Sequence, residues 1–205
     1  PQPLGPTPAA VTAPIHYPPA RSHKHLPRPA GAGVLYVAKR CAEADAPRVA
    51  GVIGHEDPVD FVVGDEPRLC YDNPLKSGAQ AFETGTSNVI GFAALAVSVG
   101  LIEQLGVAAV HSHVQGYLDT LERGLVARGF ESRRGSAAAL RSSLLGVRVP
   151  ADVRLSELAV ALRKRGVVCN TPDGMMRFAP HWPNSQDEVP AVLDAVDEAL
   201  AELRA

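Results

Sequence analysis

The sequence contains few cysteines and no cluster of basic residues. Its three cysteines, Cys41, Cys70 and Cys169, lie far apart and form no Cys-x-x-Cys pair. Such scattered cysteines are typical of reduced thiols and favour neither a disulfide framework nor a zinc site. The 205 residues carry a formal net charge of −2 at pH 7. Because binding to a phosphate backbone needs clustered lysine and arginine, we expect no nucleic-acid partner.

Long apolar runs are also absent. The longest, from Val89 to Ile102, is about four residues shorter than a bilayer span and is interrupted by two glycines and a serine. We therefore expect a buried helix here and no membrane segment. The first residues have neither the charged region nor the apolar region of a signal peptide, which predicts a cytoplasmic protein. His111 and His113 are two positions apart on a predicted helix and point to different sides, so we assign no metal.

Proline is abundant in one place only. Residues 1–21 contain seven prolines, a density that no helix or central strand tolerates, and we predict an irregular or extended segment there. Further on, Phe61-Val62-Val63 reads as a short strand. From about residue 107 the predicted order is helix, strand, helix, strand, strand, helix, a compact α+β domain. Its last two strands are predicted at Val167-Val168 and at 175–178.

A basic motif lies at Ser22-His23-Lys24-His25-Leu26, followed by a Gly-spaced turn, Pro29-Ala30-Gly31-Ala32-Gly33, and an apolar strand. A lysine whose ammonium is disfavoured by burial or by nearby cations is a nucleophilic amine and can hold an aldehyde cofactor as a Schiff base. The motif resembles the lysine segment of the class V aminotransferase and cysteine-desulfurase-like family, which uses pyridoxal 5'-phosphate (PLP) and has fold type I. The resemblance implies that Lys24 holds PLP and moves the substrate Cα proton, and that His23 lies near the cofactor phosphate. The alternative is a solvated lysine in a loop.

A second motif, Phe82-Glu83-Thr84-Gly85-Thr86-Ser87-Asn88, precedes a long predicted helix. Free backbone N–H groups and a threonine hydroxyl at a helix start form a natural anion site. The motif is similar to the family's Phe-Glu-x-Gly-Thr-Pro-Asn segment. That similarity implies that Gly85 and Thr86 contact the PLP phosphate of a partner subunit, in a homodimer with shared active sites. The alternative is an ordinary helix N-cap.

A third motif, from Gly174 to Ser185, is similar to the family's C-terminal Arg-x-Ser-Pro-His-x-Tyr-Asn segment. The similarity implies that Arg177 binds the α-carboxylate of an amino-acid substrate, a task that suits its bidentate guanidinium. The alternative is a strand arginine paired on the surface. Cys169, eight residues earlier, is interpreted as a small buried apolar residue rather than as a sulfur-accepting thiolate.

Together these motifs imply an α/β chain: the C-terminal portion of a fold-type I large domain over 22–105 and a small α+β domain over 106–205. In the family, the aspartate that pairs with the pyridine nitrogen and the phosphate-binding turn lie upstream of the lysine. Residues 1–21 match neither, so we expect a truncated enzyme.

The predicted function is that of a PLP-dependent enzyme acting on an amino acid by transamination, epimerisation or β-elimination. The turn Pro172-Asp173-Gly174 before Arg177, and the lack of a desulfurase cysteine loop, look more like the isopenicillin-N-epimerase-like branch. One alternative is an inactive fragment that only dimerises or binds a partner. A further alternative is a cysteine desulfurase that depends on Cys169.

Overall fold

The computed structural model describes residues 19–21, 31–38, 50–64 and 72–205. They fall into two compact units, a first unit up to Leu101 and a second unit from Ile102 to Ala205. Helices and strands occur in both units, and the α/β fold class predicted from the sequence is confirmed.

The first unit contains a two-stranded antiparallel ladder. Strand β1, Pro19–Arg21, pairs with strand β2, Gly33–Leu35, and Ala20 lies opposite Val34. The segment predicted to be irregular or extended therefore ends in a paired strand, and Pro19 takes the first position of that strand, where a missing N–H is tolerated. A 3-10 turn, Val52–Gly54, and a short helix α1, Pro58–Val63, follow.

Helix α1 corrects one prediction. The run Phe61-Val62-Val63 was expected as a strand and lies instead in the helix. Pro58 takes the first helical position, where its fixed φ and its missing N–H suit a helix start. An apolar run of three residues is too short to show whether its apolar positions follow the period of a helix or that of a strand.

Helix α2, Val89–Leu105, begins and ends where the sequence predicts. The Asn88 side chain caps it, since Oδ1 accepts a hydrogen bond of 2.9 Å from the Gly91 N–H. The helix stops at Gly106, whose φ of +81° lies in the left-handed region that glycine adopts without strain.

Only one face of α2 is buried. Its buried residues recur at intervals of three and four: Gly91, Leu95, Ser98 and Ile102. Other apolar side chains are open to solvent, and Val89 and Ile90 are 73% and 80% exposed. The helix that we expected to be buried is therefore buried on one face only, among the residues that the structure describes.

Across the described ranges, no single helix has both the length and the apolar composition of a membrane span. Helix α2 and the following helix α3, Val107–Val126, meet that test only as a bent pair.

The second unit continues with a three-stranded antiparallel sheet and two more helices. Strands β3, Glu131–Ser132, β4, Leu145–Arg148, and β5, Met176–Phe178, lie in the order β3-β4-β5. Helix α4, Leu155–Lys164, connects β4 to β5, and helix α5, Glu188–Arg204, ends the chain. Gly146 is the cross-strand partner of Arg177.

The core lies between one face of this sheet and helices α3, α4 and α5. Leu145, Val147 and Met176 are fully buried because alternate strand residues point to the helices. Helix α5 contacts both α3 and α4. A β-carbon on Gly124 would lie 2.4 Å from Leu193 Cδ1, so the absence of a side chain there permits the close approach of α3 and α5.

The short strand predicted at Val167-Val168 is wrong. Only Asn170 pairs with β5, through an isolated bridge to Arg177. Val168 is 74% exposed, so its β-branched side chain, which favoured the strand prediction, faces water instead of a sheet neighbour.

Candidate functional site

Lys24 and His23 lie outside the described residues. The nearest described residue after them is Gly31, which has a φ of +97° and stands two residues before β2. A left-handed backbone at this position suits glycine, the residue that the lysine motif places there.

Gly31 lies directly against Asn88. A β-carbon built on residue 31 would stand 3.1 Å from the Asn88 Nδ2 atom, closer than ordinary van der Waals contact. The turn that follows the lysine motif therefore meets the N-terminus of α2. The described end of the turn after the first motif is thus adjacent to the end of the second motif in the first unit.

Gly85 and Thr86 lie just before this helix start, and both are exposed. No atom lies within 4 Å of a β-carbon built on Gly85, so the loop has open space at that point. The Val89 N–H donates to the Ser87 carbonyl oxygen (2.9 Å), and the Gly91 N–H is taken by Asn88. Neither Gly85 nor Thr86 forms a hydrogen bond with another residue of the described ranges.

Two glycines upstream fix the path of this loop. A β-carbon on Gly51 would overlap the Thr84 carbonyl, and one on Gly54 would lie 2.9 Å from the Ala81 carbonyl oxygen. Gly54 also accepts a hydrogen bond of 2.8 Å from the Lys76 N–H. These two glycines could not be singled out from the sequence, because nothing in their spacing distinguishes them from turn glycines.

Arg177 is held by its backbone in the second unit. Its N–H donates to the Asn170 carbonyl oxygen (2.8 Å), and its carbonyl oxygen accepts from the Asn170 N–H (3.3 Å). Met176 and Phe178 on either side are buried in the core, which directs Arg177 to the opposite face of the sheet. Its Nε atom is buried and has no hydrogen-bond partner among the described residues.

The segment after Arg177 is bound to helix α3. His113 Nε2 lies 2.7 Å from the Asn184 carbonyl oxygen, and Gln186 Nε2 donates to the His113 carbonyl oxygen (2.8 Å). Asn184 Oδ1 in turn accepts from the His181 N–H (2.9 Å). The sequence suggested no such role for His113, because the contact joins residues that are 71 positions apart.

Cys169 is buried, as predicted, with 9% of its surface exposed. Burial raises the pKa of its thiol above the ordinary value, although Arg163 opposes this shift. The thiol form is therefore favoured at neutral pH, which makes Cys169 a poor nucleophile.

The family model for Aminotransferase class-V matches residues 20–177. The chain belongs to the class V aminotransferase family. The matched range includes Lys24, Gly85, Thr86 and Arg177, so the family recognised from the three motifs is confirmed.

Similar proteins differ in the reactions that their names state. The uncharacterized aminotransferase YcbU of Bacillus subtilis (strain 168) is 28% identical over 177 residues, which are 86% of this chain and 44% of YcbU. Cysteine desulfurase CsdA of Escherichia coli has a TM-score of 0.76 and 25% identity, over 92% of this chain and 47% of CsdA. The cystine C–S lyase C-DES has a TM-score of 0.68 and 20% identity, over 83% of this chain and 43% of that protein.

The chain therefore spans a little under half the length of YcbU, CsdA and C-DES. Its fold is that of fold-type I PLP enzymes. Pyridoxal 5'-phosphate is the cofactor of the family, and a C-DES variant holds glycine covalently linked to its PLP. The described residues suit a phosphate-bearing group in one respect: the loop at Gly85 and Thr86 offers a hydroxyl and open space at a helix start.

Proposed function

We propose that this chain forms part of a PLP-dependent enzyme that acts on an amino-acid substrate, with Lys24 as the residue that holds the cofactor. The contact between Gly31 and Asn88 carries this proposal. It joins the turn that follows Lys24 to the helix start that follows Gly85 and Thr86. In a homodimer, this arrangement would let one chain supply a lysine for its own cofactor and an anion-binding helix start for the cofactor of the partner subunit.

We assign a separate role in this reaction to each of the predicted site residues. Bound PLP acts as an electron sink for charge that develops at the substrate Cα. The Lys24 amine would hold PLP and would move the substrate Cα proton as a general base and then as a general acid. His23 would contact the phosphate of the cofactor held by its own chain, whereas the Thr86 hydroxyl would contact the phosphate held by the partner subunit, for which Gly85 leaves room.

Arg177 binds the substrate α-carboxylate in this proposal. Its guanidinium forms no ion pair with any residue of the described ranges, and its Nε is buried without a partner. A buried donor without a partner is unfavourable until an acceptor reaches it. A carboxylate supplies two oxygens in the geometry that a guanidinium fits.

A homodimer is part of the proposal, because Gly85 and Thr86 would contact the phosphate held by the partner subunit. The exposed apolar side chains at the start of α2, which include Val89 and Ile90, support an interface close to that loop. Sedimentation across a range of concentrations tests this, and an unchanged monomer at all concentrations contradicts it.

The reaction type stays open within the proposal. Transamination, epimerisation and β-elimination all begin with loss of the Cα proton, and the same residues serve each of them. The turn at Pro172-Asp173-Gly174 supports the isopenicillin-N-epimerase-like branch. Residence in the cytoplasm also stays a prediction.

Visible absorbance during titration with PLP tests the role of Lys24. We expect a band from the lysine–PLP adduct in the wild-type chain and its loss in Lys24→Ala. Lys164→Ala, a substitution at the exposed end of α4, is the matched control and keeps the band. An equal band in the wild type and in Lys24→Ala would show that PLP reacts with other amines, and the proposal would fail.

A second candidate function is a non-catalytic domain that only self-associates. The exposed apolar face of α2 favours it. Self-association that depends on concentration, combined with no PLP adduct at Lys24, would support this candidate over the enzyme.

A further inference from the structure

The face of the β3–β4–β5 sheet that points away from the core carries charge. Leu145, Val147 and Met176 point to the helices, so their neighbours Gly146 and Arg177 point to the other side. Glu131, Arg148 and Arg177 lie on this outer face. Arg133 follows directly after β3, and its hydrogen bond to Gly146 continues the same alternation, so it lies on this face as well.

Arg133 and Arg177 flank a glycine. Gly146 pairs with Arg177 on one side, and on the other side its carbonyl oxygen accepts a hydrogen bond of 2.9 Å from the Arg133 N–H. Neighbouring strands are about 4.8 Å apart, so the two arginines stand on backbones about 10 Å apart. Gly146 places no side chain between them, and the nearest atom to its missing β-carbon is Met175 Sδ at 4.0 Å.

The positive charge on this face is only partly neutralised. Arg133 forms an ion pair of 2.9 Å with Glu131, and Arg148 lies 3.6 Å from the same residue. Both pairs are about half exposed, and such pairs are weak and easily exchanged for another anion. Arg177 has no ion pair within the part of the chain that the structure describes.

We propose that Arg133 binds a second anionic group of the substrate, so that the enzyme prefers an amino acid with an acidic side chain. This inference rests on the proposed role of Arg177 at the α-carboxylate. With that carboxylate on Arg177, a substrate side chain that extends over Gly146 brings its terminal carboxylate towards Arg133. An apolar substrate side chain would gain no binding energy on this face, because it would take hydration from the arginines of the sheet without offering them an ion partner.

Isothermal titration of the chain without added PLP tests the inference, with L-aspartate and L-alanine as the probes. We expect the wild-type chain to bind L-aspartate about tenfold more tightly, the scale of one hydrogen-bonded charge pair. Arg133→Gln loses this preference and keeps its affinity for L-alanine. Glu131→Gln, which frees Arg133, raises the affinity for L-aspartate severalfold, a gain that misfolding cannot produce. Arg154→Gln, at an arginine that is 81% exposed, is the matched control and leaves the preference unchanged.

The variants separate this inference from the proposed function. If Arg177→Gln abolishes L-alanine binding while Arg133→Gln keeps the preference for L-aspartate, only the role of Arg133 is overturned. If Arg177→Gln leaves L-alanine binding intact, the α-carboxylate role fails and the inference fails with it. A wild-type chain that shows no preference for L-aspartate also overturns the role of Arg133.

Discussion

Gly31 and Asn88 are 57 positions apart in the sequence, yet the Asn88 side-chain amide nitrogen lies 3.1 Å from where a β-carbon on residue 31 would stand. Asn88 also caps α2 through its Oδ1 atom. The Asn88 side chain thus contacts the turn that follows the lysine motif and also caps the helix that follows the Gly85-Thr86 loop. A substitution at residue 31 should therefore disturb both the turn and the start of helix α2.

Gly31→Ala is expected to destabilise the first unit by about 1–2 kcal/mol, because alanine is strained at positive φ and its methyl group would crowd Asn88. Gly100→Ala is the matched control, since no atom lies within 4 Å of its missing β-carbon. Alanine in the interior of a helix is favoured over glycine by up to about 1 kcal/mol, so this variant should be neutral or slightly more stable. Hydrogen exchange of the α2 amides measures the effect of each substitution. Equal exchange in the two variants would show that residue 31 does not affect the start of helix α2.

Arg134 is expected to be the most sensitive charged residue of the second unit. Its side chain is 2% exposed and donates to Asp119 Oδ1 (2.5 Å) and to Glu122 Oε2 (2.8 Å). Removing one partner of a buried ion pair leaves the other without compensation. Because Asp119 is 44% exposed, we expect Arg134→Met to cost about 2–3 kcal/mol, less than a fully buried pair.

Chemical denaturation measures the cost of Arg134→Met. The control is Arg154→Met, where the side chain is 81% exposed and its ion pair with Glu157 is expected to contribute less than about 1 kcal/mol. Similar losses in the two variants would show that the buried contacts of Arg134 do not contribute to stability.

Glu122 makes the stability of the second unit depend on pH. Burial by itself would raise the pKa of this carboxyl, but hydrogen bonds from Ser132 and Arg134 outweigh it, and the pKa is lowered below the ordinary value. Its folded pKa lies below its unfolded pKa, so its contribution is complete at neutral pH. That contribution is lost as the pH falls below about 5 and through the folded value.

Glu122→Gln should therefore flatten the acid limb of a plot of unfolding free energy against pH. Glu103→Gln, an exposed change on α2, should leave the acid limb as steep as in the wild type. An unchanged slope in Glu122→Gln would mean that other carboxylates cause the acid sensitivity.

The sequence predicts helices far better than it predicts short strands in this protein. Helix α2 has an N-cap residue, a long apolar run and a stop at Gly106, and its observed bounds agree with them. Val167-Val168 has only a local preference for strands, and no strand of the described ranges pairs with these two residues. The two-residue strand β3 was missed for the same reason, since its pairing with β4 depends on a partner more than ten residues away.

The candidate site was accessible from the sequence only as separate motifs. The resemblance of each motif to the family implies a role for Gly85, Thr86 and Arg177, but it contains no information on which motifs meet in this chain. The adjacency of Gly31 and Asn88, and the placement of Arg133 beside Gly146, both arise from the path of the chain. Lys24 and His23 lie outside the described residues, so their roles stay predictions.

The burial of Cys169 leads to a last prediction, on sulfur chemistry. A desulfurase that used Cys169 would need it as an exposed thiolate, whereas burial raises its pKa and limits access to it. We expect Cys169→Ala to leave any release of sulfur from L-cysteine unchanged and to cost about 1 kcal/mol of stability from the small cavity. The matched measurement is alkylation of the Cys169 thiol, which should be slow in the folded chain and fast after denaturation. Loss of sulfur release in Cys169→Ala with the fold intact would instead make this buried thiol the sulfur acceptor, and the loop around it would have to open during turnover.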